Sequence, residues 1–234
     1  MAALTAAGGT ISLLVGAVLL RLTVTDTYRR YVRPEMGLWL AIAGVAVVAL
    51  GVVTLVWSLR ASREDEQDDQ EHDDDHGVGV GWLLLAPIAA LLLVAPPTLG
   101  SYGVGRAATV KIRSGKGTFR PLPKSATPRQ MTLTEFSQRA YERNGASFNG
   151  QPVQLTGFVA DPEAGGFKLA RYQIACCAAD AAPVVVRVVG TSGDPPPRDQ
   201  WVTVIGTLRA GGDEVPELAS TSLAEIPAPN DPYE

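Results

Sequence analysis

The chain is poor in the residues on which most catalytic and cross-linked architectures depend. Its 234 residues include two cysteines, Cys176 and Cys177, and these are adjacent, so a disulfide framework is excluded. The two histidines, His72 and His76, both precede the cysteines by a long stretch of chain. No Ser-His-Asp or Cys-His set can be assembled from such a distribution, and an enzyme is not expected. Aromatic residues make up 6% of the chain and basic residues are scattered, which leaves little with which to stack and neutralise a nucleic acid. Charge is absent from three long stretches: residues 1–20, Met36–Leu59 and Gly77–Gly105. Apolar runs of about 20 residues match a hydrocarbon core of about 30 Å at helical rise, so a simple soluble protein is excluded.

What is present divides the sequence into two parts. Residues 1–104 read as a three-helix transmembrane region with an acidic, histidine-containing loop over 60–79. Residues 105–130 read as a linker, rich in basic residues, Gly, Ser and Pro, and 131–234 as a C-terminal domain. The first helix is expected over Leu4–Val24. No positive segment precedes it and Arg21 follows its apolar stretch, which favours an uncleaved helix over a signal peptide. Gly8, Gly9 and Gly16 would let a neighbouring helix approach closely. The second is expected over Gly37–Ser58, with Trp39 and Trp57 near its ends at the headgroup level. The third, Val80–Leu99, contains Pro87 and ends at Pro96-Pro97.

The formal charge of −4 conceals an asymmetry, because Glu64–Asp75 holds nine of the 24 acids. Without them 15 acids face 20 basic residues, about +5. Eight lysines and arginines flank the first loop and the tail (Arg29, Arg30, Arg33, Arg106, Lys111, Arg113, Lys116, Arg120), against Arg60 and Arg63 on the other side. Positive-inside bias therefore predicts a multi-pass protein of the cell membrane with its C-terminal domain in the cytoplasm and the acidic loop outside. His72 and His76, set among carboxylates, are candidate ligands for zinc or another divalent ion, though mutual repulsion among the acids favours a solvated coil.

In the second half a capping box, Thr132-Leu-Thr-Glu135, starts a helix over Leu133–Arg143 that Asn144-Gly145 ends. The hydrophobic period then becomes two. Strands are expected over Val153–Val159, Phe167–Ala175, Pro183–Val189, Trp201–Leu208 and Leu218–Ile226. Five short strands with turn signals between them predict a small all-β, OB-like barrel with one preceding helix, in which Gly157 and Gly206 suit sharp bends. Such a fold alone does not confer nucleic-acid binding, and nucleic acid is not an expected partner.

Chemistry concentrates in Arg171-Tyr-Gln-Ile-Ala-Cys176-Cys177-Ala-Ala-Asp180. Neighbouring side chains point to opposite faces of a strand, so the two thiols converge only at a strand end or bulge. There Cys176, Cys177 and Asp180 would offer zinc or copper(I) three ligands, with Arg171 pairing Asp180 or lowering a thiol pKa. A strained, redox-active disulfide and simple packing remain open beside that reading.

The segment 19–34 (Leu-Leu-Arg-Leu-Thr-Val-Thr-Asp-Thr-Tyr-Arg-Arg-Tyr-Val-Arg-Pro), the His/Asp-rich loop, and 171–183 together resemble the YcgQ-type permease subunits of Gram-positive bacteria. The resemblance spans nearly the whole chain, and the Arg–Cys-Cys–Asp segment is its most specific part. It implies a partnership with a separately encoded, membrane-embedded permease and transfers no catalytic residue. The expected function is thus an integral-membrane accessory subunit in metal, metalloid or small-solute transport, its C-terminal domain binding ligand or partner. The alternative is a membrane-anchored thiol redox protein or metallochaperone acting through Cys176 and Cys177.

Overall fold

A computed structural model describes residues 2–64, 99–106, 119–191, 193–209 and 215–234. The chain separates into two compact units, Met1–Pro97 and Thr98–Glu234. The start of the expected acidic loop, residues 60–64, is helical; the rest of it with His72 and His76, and all of the third apolar run except Leu99, lie outside the described residues.

The first unit is a helical hairpin of α1 (Ala2–Val24) and α2 (Gly37–Glu64). Glycines set how closely the helices pack. Gly9 faces Gly51 and Leu55 of α2, and Gly16 faces Gly44 and Val48, so glycines two helical turns apart meet at two levels. Gly8, by contrast, has nothing within 4 Å of where a side chain would begin. Hydroxyls in these helices are satisfied locally: Ser12 donates to the Gly8 carbonyl at 2.9 Å and Thr54 to that of Leu50 at 2.7 Å. Back-bonding of this kind removes the cost of a polar group in an apolar surrounding. The connection is pinned by Tyr28, 7% exposed, whose hydroxyl donates to the Pro34 carbonyl.

The outward face of α2 is apolar, with Leu38, Ile42, Val45, Leu50 and Val53 all exposed. Trp39 and Trp57 are 65% and 70% exposed, and 18 residues of helix separate them by about 27 Å. Among the described residues one helix, over Pro34–Arg60, is long and apolar enough to cross a membrane; the apolar stretch Gly8–Val24 is shorter. The three spanning helices expected from the sequence therefore reduce, within the described residues, to one of spanning length.

The second unit is built on a closed barrel. Its strands are β1 (Arg129–Gln130), β2 (Val153–Glu163), β3 (Gly166–Gln173), β4 (Ala182–Val189), β5 (Trp201–Arg209) and β6 (Glu217–Ile226). Their order is β1-β2-β3-β4-β6-β5, and β2 also pairs with β5, which closes five strands into the expected OB-like barrel. Alternation sends Val153, Leu155 and Val159 of β2, Leu169 of β3, Val184, Val186 and Val188 of β4, and Val202 and Val204 of β5 into one core. Helix α3 (Leu133–Tyr141) adds Leu133 and Phe136 to that core, and Phe136 meets Phe148 edge-on at 5.5 Å. The predicted cap is present, since Thr132 accepts from the Glu135 amide at 3.0 Å. The return half of the box is replaced: Glu135 pairs with Arg139 at 2.8 Å, and the Glu234 carboxylate accepts from the Leu133 and Thr134 amides.

Two features differ from the sequence expectations. Part of the presumed linker lies on the barrel, where Leu122 donates to the Ser147 carbonyl and Arg129–Gln130 pairs in parallel with β2. Both glycines are also required by close strand approach: a side chain at Gly157 would meet the Ala170 carbonyl at 2.6 Å and one at Gly206 would meet the Ala219 carbonyl, and Gly206 alone of the two also sits at a register shift, as a bend requires.

Replacing Gly16 with leucine would drive a side chain against Val48, whose backbone nitrogen lies 2.9 Å from the Cβ position. The expected cost is about 1–3 kcal/mol, seen as loss of α1–α2 pairing in a detergent unfolding titration. Gly8→Leu is expected to leave the same titration unchanged.

Candidate functional site

The strand that leads to the cysteines ends at Gln173, two residues earlier than the sequence pattern indicates. Cys176 and Cys177 therefore lie in the turn between β3 and β4, free of strand alternation. Cys177 caps the single 3-10 turn Ala178–Asp180: its carbonyl accepts from the Asp180 amide at 3.1 Å, and the Cys177 amide donates to the Asp180 carboxylate at 3.4 Å. That carboxylate also accepts from the Ala175 and Cys176 amides, each at 2.8 Å. Three backbone donors converging on one anion define the loop.

This wrapping brings the two sulfurs to 3.6 Å as free thiols. Two thiolates on one tetrahedral zinc would stand about 3.8 Å apart, given a Zn–S bond of about 2.3 Å. The ligand atoms of Cys176, Cys177 and Asp180 all lie within 4.8 Å of one another, with Cys176 and Asp180 exposed and Cys177 half-buried. Asp180 Oδ1 accepts a single amide and retains a lone pair, so an ion could share Asp180 without dismantling the turn. Three donors are one short of a closed structural site, which leaves a position for a second ligand.

Electrostatics decide what the thiols do when no cation is bound. The Cys176 thiol, followed by the Ala175 and Cys176 amides, holds Asp180 down at about 2, so the carboxylate is ionised throughout the physiological range. The hydrogen bond to this carboxylate, followed by the one shared with the Cys177 thiol, pushes Cys176 up to about 11. At neutral pH Cys176 is thus a protonated thiol and a slow nucleophile, the opposite of an activated redox cysteine. A soft cation reverses the balance, because its charge offsets both thiolates and the carboxylate.

The expected role of Arg171 is corrected. Its guanidinium does not serve Asp180 but donates to the carbonyls of Asp231, Pro232 and Tyr233 at 2.8, 3.3 and 3.1 Å, and it lies over the Trp201 ring. Five fixed donors in a planar fork suit this clamping of consecutive carbonyls. The clamped segment continues as a bridge between Tyr172 and Tyr233. His72 and His76 lie outside the described residues.

A second group of side chains carries no motif in the linear sequence. Asp161, Lys168, Arg187 and Arg198 point outward from the barrel and line a cleft of about 460 Å³, which the 101–105 segment walls on one side. Alternation placed Lys168 and Arg187 outward, but only the register, which sets them directly opposite each other on β3 and β4, makes them a pair.

Removing the Asp180 charge tests the electrostatic account. In Asp180→Asn the Cys176 pKa is expected to fall from about 11 toward its ordinary value of 9.0. Alkylation of Cys176 near pH 8 should then be faster than in the wild type; an unchanged pH–rate profile would refute the account.

Residues 132–234 match the DUF1980 C-terminal domain family, which begins at the helix cap and covers the whole barrel. Residues 9–107 match the DUF1980 N-terminal domain family, which takes in the helical hairpin. No curated protein matches the chain. With an apolar N-terminal half and a Cys-Cys-Asp-bearing barrel that match its two domains in order, the chain belongs to the DUF1980 family.

Proposed function

We propose that the protein is an integral-membrane accessory subunit whose barrel offers Cys176, Cys177 and Asp180 to a soft metal ion or metalloid handled by a partner permease. One observation carries this reading: the three ligand atoms lie within 4.8 Å on an exposed turn that is already organised by backbone hydrogen bonds. A preformed site avoids the ordering cost that a flexible cluster meets on binding. Exposure and an open coordination position suit transfer to or from a partner better than storage of a structural ion.

Membrane attachment rests on α2, with its apolar outward face and terminal tryptophans, and on the two further charge-free runs of the sequence. The multi-pass reading is supported by the three charge-free runs, and the cytoplasmic location of the barrel by the lysine and arginine distribution. The permease partner is what the YcgQ-type resemblance implies. Few helices and no intramembrane ion pair in the sequence fit an accessory role better than a self-contained path. A thiol redox function is disfavoured by the elevated Cys176 pKa.

Purification of the intact chain under reducing conditions, followed by loading with zinc or copper(I) and metal analysis, tests the site. Wild type should retain stoichiometric metal, and Cys176→Ser/Cys177→Ser should lose it while keeping its melting temperature. Equal metal in both proteins would overturn the assignment. Pull-down from native membranes is expected to recover a multi-helix permease, and a chain that runs alone in mild detergent would argue against the accessory role.

A further inference from the structure

The barrel buries apolar surface on its outer side as well as its inner one. Phe158, Ala170, Tyr172, Val185 and Trp201 form an outer cluster that Val104, Val215 and Tyr233 pack against. The 99–105 segment is fixed to this face. Asp199 accepts from the Ser101 amide at 2.6 Å and from its hydroxyl at 3.1 Å, and the Tyr172 hydroxyl donates to the Gly100 carbonyl at 3.0 Å. The cleft of about 460 Å³ lies between this segment and the barrel wall.

Its lining is amphipathic. Val104 and Val185 supply apolar surface, and Lys168, Arg187 and Arg198 supply charge. Two of the three cations are already engaged: Lys168 donates to Asp161 at 3.0 Å and Arg198 donates to it at 2.7 Å. Mutual pairing lowers the Asp161 pKa and raises that of Lys168. Arg187 differs. Its contacts to Glu163 and Glu217 are 3.9 and 4.0 Å, too long for hydrogen bonds, and its Nε–H has no acceptor among the described residues. A guanidinium fork without a hydrogen-bonded acceptor among the described residues, in a cleft lined also by Val104 and Val185, calls for an oxyanion that carries an apolar portion.

We infer that this cleft binds a phosphate group, with Arg187 holding the phosphate oxygens and Val104 and Val185 holding the apolar remainder of the ligand. Two sources supply that chemistry: a soluble phosphate ester and the headgroup of an anionic lipid. The lipid source rests on the membrane reading above. The soluble source requires no membrane.

The intact chain in neutral detergent is titrated calorimetrically with glycerol phosphate and, separately, with dihexanoyl phosphatidic acid. Wild type is expected to bind at least one, and Arg187→Met to weaken binding by about tenfold or more at an unchanged melting temperature. Arg187→Lys, which keeps the charge and loses the fork, should fall between them. If Arg187→Met fails to fold, Val104→Glu, which sets a carboxylate on the cleft wall, must abolish the same binding. Binding of phosphatidic acid alone identifies a lipid site, and binding of both identifies a phosphate-ester site. Absence of binding to wild type, or full affinity in the variants, overturns the inference. Recovery of the chain in the soluble fraction after carbonate washing would defeat the membrane reading without touching the glycerol phosphate result.

Discussion

Strand β2 hydrogen-bonds β3 along one edge and β5 along the other, and the rest of the C-terminal unit depends on that double pairing. Without the β2–β5 contact the five strands would form an open sheet with two exposed edges. With it, the inward residues of every strand share one core, and the turns between strands are held at fixed positions on the rim. The β3–β4 turn that carries Cys176, Cys177 and Asp180 is such a position. Its geometry is secured by eight residue pairs in register between those strands, from Gly166↔Val189 to Gln173↔Ala182.

Closure also explains why the outer face matters. A closed barrel has no second sheet to cover its outward apolar residues, so the chain covers them itself. The 99–105 segment does so near Tyr172 and Asp199, and residues 231–233 do so through Arg171. A cleft remains where these covers do not reach; Asp161, Lys168 and Arg187 reach it from strand positions, and Arg198 from the turn before β5. Metal-type chemistry and anion-type chemistry are thereby separated. The turn is an electron-rich set of two sulfurs and a carboxylate, and the cleft is lined by three cations and one acid.

The helical unit is governed by a different constraint. Backbone groups in a hairpin of this composition must be satisfied internally, and glycine at positions 9, 16, 44 and 51 lets two such helices meet over the greater part of their length. Close backbone approach, in place of the interdigitated large side chains of the barrel core, brings the two helices together. The two halves of the chain are thus stabilised by different physics, in keeping with their matching separate domain families.

Much of this is written in the local sequence. A capping threonine at 132 and strict alternation in Val153–Val159 or Trp201–Leu208 depend on neighbours a few residues apart, and the elements they predict are present, as are helices over the first two charge-free runs. The adjacency of Cys176 and Cys177 and the nearby Asp180 likewise marked the candidate site. What the linear pattern could not convey is pairing across long separations. The partner of Arg171 is 60 residues away in sequence, that of Ser101 is 98, and the acceptor at the start of α3 is Glu234. Arg171 looked like a partner for Asp180 because both occupy one short segment; closure of the barrel turns it instead toward the 231–233 segment. The amino-acid order therefore determined which residues are apolar, which alternate and which can ligate. The tertiary structure alone decided which charges meet, because register and barrel closure, not proximity in sequence, set the distances between them.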